Sequence, residues 1–259
     1  MTKVAFAISA HPDDIEFMMA GTLILLKQAG YEIHYMTVAN GSCGSVEHDA
    51  QTIARIRRAE SRDAAAFIGA TYHDSLVDDL EIFYERRTIQ RLGAVIREVA
   101  PHVVLTHPPR DYMEDHTNTC RLVLAAAFAR AMPNYPVDPP TAPVTGPVTI
   151  YHALPYGLRD LLGQPAEPDF YVNVSGVMET KLESLAKHRS QKEWLDASQG
   201  IDSYLAHLEA MNLEAGHMSG VFQYAEGWTK HLHLGYCAED ADPVRSDLAP
   251  DLVRAARPQ

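Results

Sequence analysis

Short apolar runs separated by longer amphipathic stretches set the strongest limit on how this chain folds. Residues 3–9, 32–39 (EIHYMTVA), 71–76, 102–107 (HVVLTH) and 148–154 have the length of strands, and a sixth is read at 169–174. Helical periodicity fills the gaps at 15–29, 50–69, 84–100 and 117–132. Gly30 and Gly69 close the first two helices and Pro101 stops the third. Strands alternating with helices at this spacing predict an α/β fold, with right-handed crossovers and a mostly parallel sheet covered by helices on both faces. Helices at 177–188 and 200–212 then form a C-terminal extension packed on the sheet, and the last ten or so residues read as frayed.

The 259 residues suit a single domain over 1–259, in which 148–259 completes whatever site the first part builds. Six prolines crowd 133–147, which reads as an irregular connection. Hydrophobic residues make up 46%, enough for a sizeable core. The 34 acidic residues outnumber 22 Lys and Arg, and a net charge of -12 argues against nucleic acid or an anionic membrane as partner. No stretch is apolar for long enough to insert across a bilayer, and the N-terminus does not read as a signal peptide. Cys43, Cys120 and Cys237 are odd in number and widely spaced, which points to a reducing cytoplasm rather than a disulfide framework. A homo-oligomer is compatible with all of this.

The first strand stops at His11-Pro12-Asp13-Asp14. In open parallel sheets ligands bind beyond the carboxyl ends of the strands. His11–Asp14, the turn-rich Asn40–Ser45 and THPPRDYMEDH (106–116) all fall there. His11 and Asp14, three apart across a turn stiffened by Pro12, converge on one point, and His116 arrives from the third stretch. Two imidazoles and a carboxylate leave the fourth position of tetrahedral Zn2+ open, which is the catalytic pattern. Asp13 leaves the same turn in another direction, as a general base must. Competing readings are plain architecture: Asp13 and Glu16 fit a capping box, and Asp115 or Thr117 caps the helix after His116.

The stretch AHPDDIEF…AGT, with Asp111 to His116 forming D-x-x-x-D-H, resembles the PIG-L/LmbE-like family of zinc-dependent N-deacetylases. ARIRRAESRDAAAFIGA (54–70), LAKHRSQKEW (185–194) and YAEGW (224–228) extend the resemblance along the chain. It implies a Rossmann-like fold, a zinc cofactor held by His11, Asp14 and His116, and Asp13 as catalytic base. It also implies a small-molecule partner, an N-acetylated sugar or conjugate, with Arg57 and Asp111 on the substrate side. Two departures stand out. Met113 occupies the place of a histidine that stabilises the oxyanion or protonates the amine, and Ala20-Gly21 replaces paired glycines. The missing acid is then sought among His217, as first choice, His188, His107 and Tyr112.

Other features are weaker. GSCGS (41–45) lacks a phosphate loop's Lys-Ser/Thr and is expected to bring backbone amides to the substrate. Asp79 is a candidate for the same rim. His231 and His233 alternate as on one face of a strand. The expected function is removal of an N-acyl group, most simply acetyl, from an amino sugar or glycoconjugate. The alternatives are a metal-dependent hydratase of a small unsaturated acid and a non-catalytic sugar- or metal-binding module.

Overall fold

A computed structural model of the chain describes residues 2–192 and 204–255. Eight strands form one sheet in the order β3-β2-β1-β4-β5-β7-β6-β8. Strands β1 (Val4–Ser9), β2 (Glu32–Thr37), β3 (Thr71–His73), β4 (Val103–Thr106) and β5 (Thr149–Ala153) are mutually parallel. The half formed by β6 (Phe170–Asn173), β7 (Ala225–Lys230) and β8 (Leu252–Arg254) is antiparallel. The helices are α1 (Asp14–Met18), α2 (Ala20–Gln28), α3 (Ala50–Ile68), α4 (Arg86–Val99), α5 (Glu114–Ala129), α6 (Met178–Leu185), α7 (Tyr204–Ser219) and α8 (Pro243–Asp247).

Side chains alternate across each strand, so β1 feeds two cores. Ala5 and Ala7 pack under α2 on one face, in the core that α7 also joins. Phe6 and Ile8 pack under α4 and α5 on the other. Because β1, β2, β4 and β5 run the same way, the loops after Ser9, Thr37, Thr106 and Ala153 share one rim. The proline-rich 133–147 is irregular, as its composition implies. Prolines give no N–H to pair with neighbouring carbonyls, and buried Arg97 and Arg130 serve those carbonyls instead. Arg97 donates to Met132, Tyr135 and Thr141, and Arg130 to Gly146.

Several expectations need correcting. The helix read over 15–29 is broken at Met19. Glu226, on β7, accepts from the Gly21 and Thr22 N–H groups at 2.8 Å each, capping α2 from outside. Lys181, on α6, donates to Glu226 (2.6 Å), to Asn212 (2.7 Å) and to the Phe17 carbonyl at the end of α1 (3.2 Å). An anion thus meets the start of one helix and a cation the end of the other, as helix dipoles favour. Gly21 is required there, since a Cβ would sit 2.5 Å from Val174 Cγ1.

Strand β7 has no counterpart among the expected strands, because its inward Glu226 hides the apolar signature of a buried strand. The frayed C-terminus is, up to Ala255, largely the edge strand β8. His231 and His233 lie beyond β7 rather than on it, with His231 Nδ1 3.0 Å from His152 Nε2. Part of the helix read over 200–212 lies outside the described residues; within them α7 starts at Tyr204.

Lys181 and Glu226 are both almost fully buried. Removing one partner strands the other as an uncompensated charge. Glu226→Ala is therefore expected to cost roughly 3–5 kcal/mol of unfolding free energy in a denaturant titration. A loss below about 1 kcal/mol would contradict the helix-break account.

Candidate metal centre

The turn after β1 is closed from both directions. The Asp14 N–H donates to the His11 carbonyl (3.2 Å), and the His11 N–H donates to Asp14 Oδ2 (2.7 Å). This lock points both side chains at one spot. His116 comes from the first turn of α5, after β4. His116 Nε2 lies 3.4 Å from Asp14 Oδ1, and His11 Nδ1 lies 3.6 Å from Asp14 Oδ2. The donor atoms of all three residues fall within 4.8 Å of one another. Two ligands each about 2.1 Å from a tetrahedral ion stand about 3.4 Å apart. The spacing and the mixed N/O donor set fit a zinc-type ion.

The far nitrogen of each imidazole is anchored. His11 Nε2 lies 2.9 Å from Asp115 Oδ2, which also accepts the Leu80 N–H at 2.8 Å. His116 Nδ1 lies 3.0 Å from Asp111 Oδ1, which also accepts the Met113 N–H at 3.1 Å. A carboxylate behind a ligating histidine fixes its tautomer and orientation. Burial opposes charge on His11, yet Asp115 and Asp14 raise it to about 9. His116 rises to about 10, against burial, through Asp14 and Asp111. Burial likewise opposes ionisation of Asp14, but His116 foremost, with His11, holds it well below the usual carboxylate range. The cluster therefore demands positive charge at its centre.

Asp13 has the left-handed backbone, φ 97°, that a residue with a Cβ resists. Its side chain makes no cap bond, and Glu16 is fully buried, accepting from Tyr35 and Ser184. The capping box is absent. Instead Asp13 Oδ2 accepts from the Tyr204 hydroxyl, and Oδ1 lies 3.8 Å from Arg57 Nη2. Burial, aided by Asp14, raises Asp13 to about 6 against the pull of Arg57, His188 and Tyr204.

Three expected substrate residues stand elsewhere. Arg57 is buried behind the turn, donating to the Pro12 carbonyl (2.7 Å) and the Gly41 carbonyl (3.4 Å). A Cβ at Gly41 or Gly44 would meet it at 2.5 or 2.3 Å. The glycines of GSCGS thus make room for Arg57, and the amides of Gly41 and Cys43 donate to Asp79 rather than lying free for a substrate. Asp111 is buried behind His116, where it orients that ring. His217 is exposed in the last turn of α7, about 20 Å along the helix from Tyr204.

Among the other acid candidates, His107 is fully buried and stacked on His116 (4.0 Å, 13°). Its Nε2 accepts the Ala10 N–H at 2.9 Å, so any ring proton sits on Nδ1. Burial and the neighbouring His116 lower its pKa. His188 lies behind Asp13, 3.3 Å from Glu16 Oε2. Tyr112 is exposed, its ring edge-on to His116 at 5.5 Å and 6.3 Å from Tyr156. Tyr156 follows β5 on the same rim, its phenol pushed up to about 12 by burial and by Asp13 and Asp14. The strand-end rule applied to LPYGL (154–158) would have pointed to Tyr156.

Asp111→Ala is expected to weaken metal binding by roughly 10–100-fold, the usual cost of losing such a support. A variant with wild-type metal affinity and only a raised KM would return Asp111 to the substrate side.

Residues 6–127, spanning all three ligand candidates, match the family model described as PIG-L: GlcNAc-PI de-N-acetylase. A diacetylchitobiose deacetylase of Thermococcus kodakarensis is 27% identical over 241 residues, 87% of this chain and 82% of its own length. A 4-oxalmesaconate hydratase of Pseudomonas putida is 26% identical over 191 residues, 69% of this chain and 70% of its own. The structure of N,N'-diacetylchitobiose deacetylase from Pyrococcus horikoshii superposes with a TM-score of 0.74 at 24% identity, covering 90% of this chain and 85% of that one. In sequence over residues 6–127, and in fold over most of its length, this chain is similar to the PIG-L/LmbE-like enzymes.

Proposed function

We propose that the protein is a zinc-dependent N-deacetylase that hydrolyses the acetamide of an N-acetylated amino sugar or glycoconjugate. The observation that carries this reading is the open His11–Asp14–His116 triad with the carboxylate of Asp13 beside it. Zinc bound by the triad supplies a Lewis acid for the acetyl carbonyl and a water that ionises near neutral pH. Asp13 takes a proton from the attacking water. It returns that proton to the nitrogen as the C–N bond breaks, leaving acetate and a primary amine. With Met113 unable to donate, the phenols of Tyr112 and Tyr156 are the groups at the rim that can hydrogen-bond the developing oxyanion.

Among the described residues no helix is long and apolar enough to cross a membrane. The free thiols of Cys43, Cys120 and Cys237 suit a reducing cytoplasm, where we place the reaction on a small-molecule sugar conjugate. A second reading, hydration of a small unsaturated acid, is favoured by the similarity to the hydratase and by methionine at 113. Incubating zinc-loaded protein with a panel of N-acetylated sugars and glycosides separates the two. Acetate released in step with primary amine supports the deacetylase. Loss of the ultraviolet absorbance of a conjugated acid, with no acetate from any N-acetyl compound, supports the hydratase.

Asp13→Asn preserves the shape of the side chain and removes its charge. It is expected to keep its zinc while turnover falls roughly 10²–10⁴-fold. Wild-type turnover in the zinc-loaded variant would remove Asp13 from the chemistry.

A further inference from the structure

Asp13 is reached by a side chain from a distant part of the chain. Tyr204, on α7, is 2% exposed and donates its hydroxyl to Asp13 Oδ2. Its ring is set edge-on against Phe17 (5.3 Å, 72°). Farther along α7, Leu208, Met211 and Ala215 are buried in the core. The hydroxyl is therefore held by a rigid element, as a positioning group should be. Burial and the adjacent carboxylate keep the phenol protonated, so it is a permanent donor.

A charged neighbour, Arg57, competes for the same carboxylate. Arg57 Nη2 lies 3.8 Å from Asp13 Oδ1 and is anchored on the Pro12 carbonyl. Rotation of an aspartate carboxylate about its last torsion is soft. Without a partner on Oδ2, rotation about that torsion would bring the carboxylate into a closer ion pair with the guanidinium.

We infer that Tyr204 is the residue that positions the catalytic base, holding Oδ2 of Asp13 so that Oδ1 stays presented to the reacting water instead of collapsing onto Arg57. This rests on the reading of Asp13 as base. The phenol touches neither substrate nor metal; it acts through the carboxylate.

The test uses the full chain loaded with zinc and compares Tyr204→Phe, Asp13→Asn and the double variant for zinc content, melting temperature, kcat and KM. Phenylalanine keeps the ring packing and removes only the hydroxyl. Tyr204→Phe should lose roughly 10–100-fold in kcat, the range for losing a supporting hydrogen bond, with KM and bound zinc unchanged. In the Asp13→Asn background the same change should cause no further loss of kcat.

Wild-type kcat in a folded, zinc-loaded Tyr204→Phe protein would overturn the inference while leaving Asp13 as base. So would a loss of equal size in the Asp13→Asn background, or a loss confined to KM. Should Tyr204→Phe alone fail to fold, the double variant, which has no unpaired carboxylate, still decides the matter. Turnover equal to that of Asp13→Asn supports the inference and a further drop refutes it. Wild-type turnover in Asp13→Asn would instead defeat the underlying reading, whatever Tyr204→Phe does.

Discussion

The carboxylate of Asp14 is a buried negative charge ringed by imidazoles. Nitrogens of His107, His116 and His11 stand 3.3, 3.4 and 3.6 Å from its oxygens. An isolated carboxylate at that depth would give up its charge, because burial without compensation is costly. Here protons on His11 and His116 supply the compensation in the metal-free chain. A divalent cation replaces them with one charge of higher density, so metal binding releases protons and weakens as pH falls. Asp115 and Asp111 stand behind the two rings and fix their orientation.

The tight turn that presents Asp13 and Asp14 stands only because much of the chain braces it. Arg57 on α3 grips the Pro12 carbonyl from below, with Gly41 and Gly44 folded around the guanidinium. Glu16, one turn on, is held by Tyr35 and Ser184. The Lys181–Glu226 pair fixes the end of α1 against the start of α2, and Tyr204 takes one oxygen of Asp13. Strained backbone persists only where surroundings over-determine it. At Asp13 these surroundings include elements from the C-terminal half of the chain, β7, α6 and α7.

Much of this is legible in the residues themselves. The alternation of apolar runs marks the five parallel strands, and the strand-end rule brings His11, Asp14 and His116 to one rim. What escapes reading shares a physical cause: charge hidden in the interior. Glu226 and Lys181 neutralise each other inside the core, so β7 lacks an apolar signature and the break at Met19 has no local signal. Arg57 and Asp111 look like groups awaiting a ligand, yet both are consumed by main-chain carbonyls or a neighbouring imidazole. Tyr204 gives no signal at all, because a lone tyrosine declares nothing about what lies across the fold. His217 fails for a simpler reason, since the helix that carries it reaches the site by its other end.

Asp14 is placed to organise a three-residue metal centre at the end of β1. Crystals grown with zinc and measured at its absorption edge test it most directly. One anomalous peak is expected about 2.0–2.2 Å from His11 Nδ1, a carboxylate oxygen of Asp14 and His116 Nε2, the distances zinc takes to nitrogen and oxygen. A peak held instead by His107 and Asp111, or no ordered zinc on this rim, would contradict it.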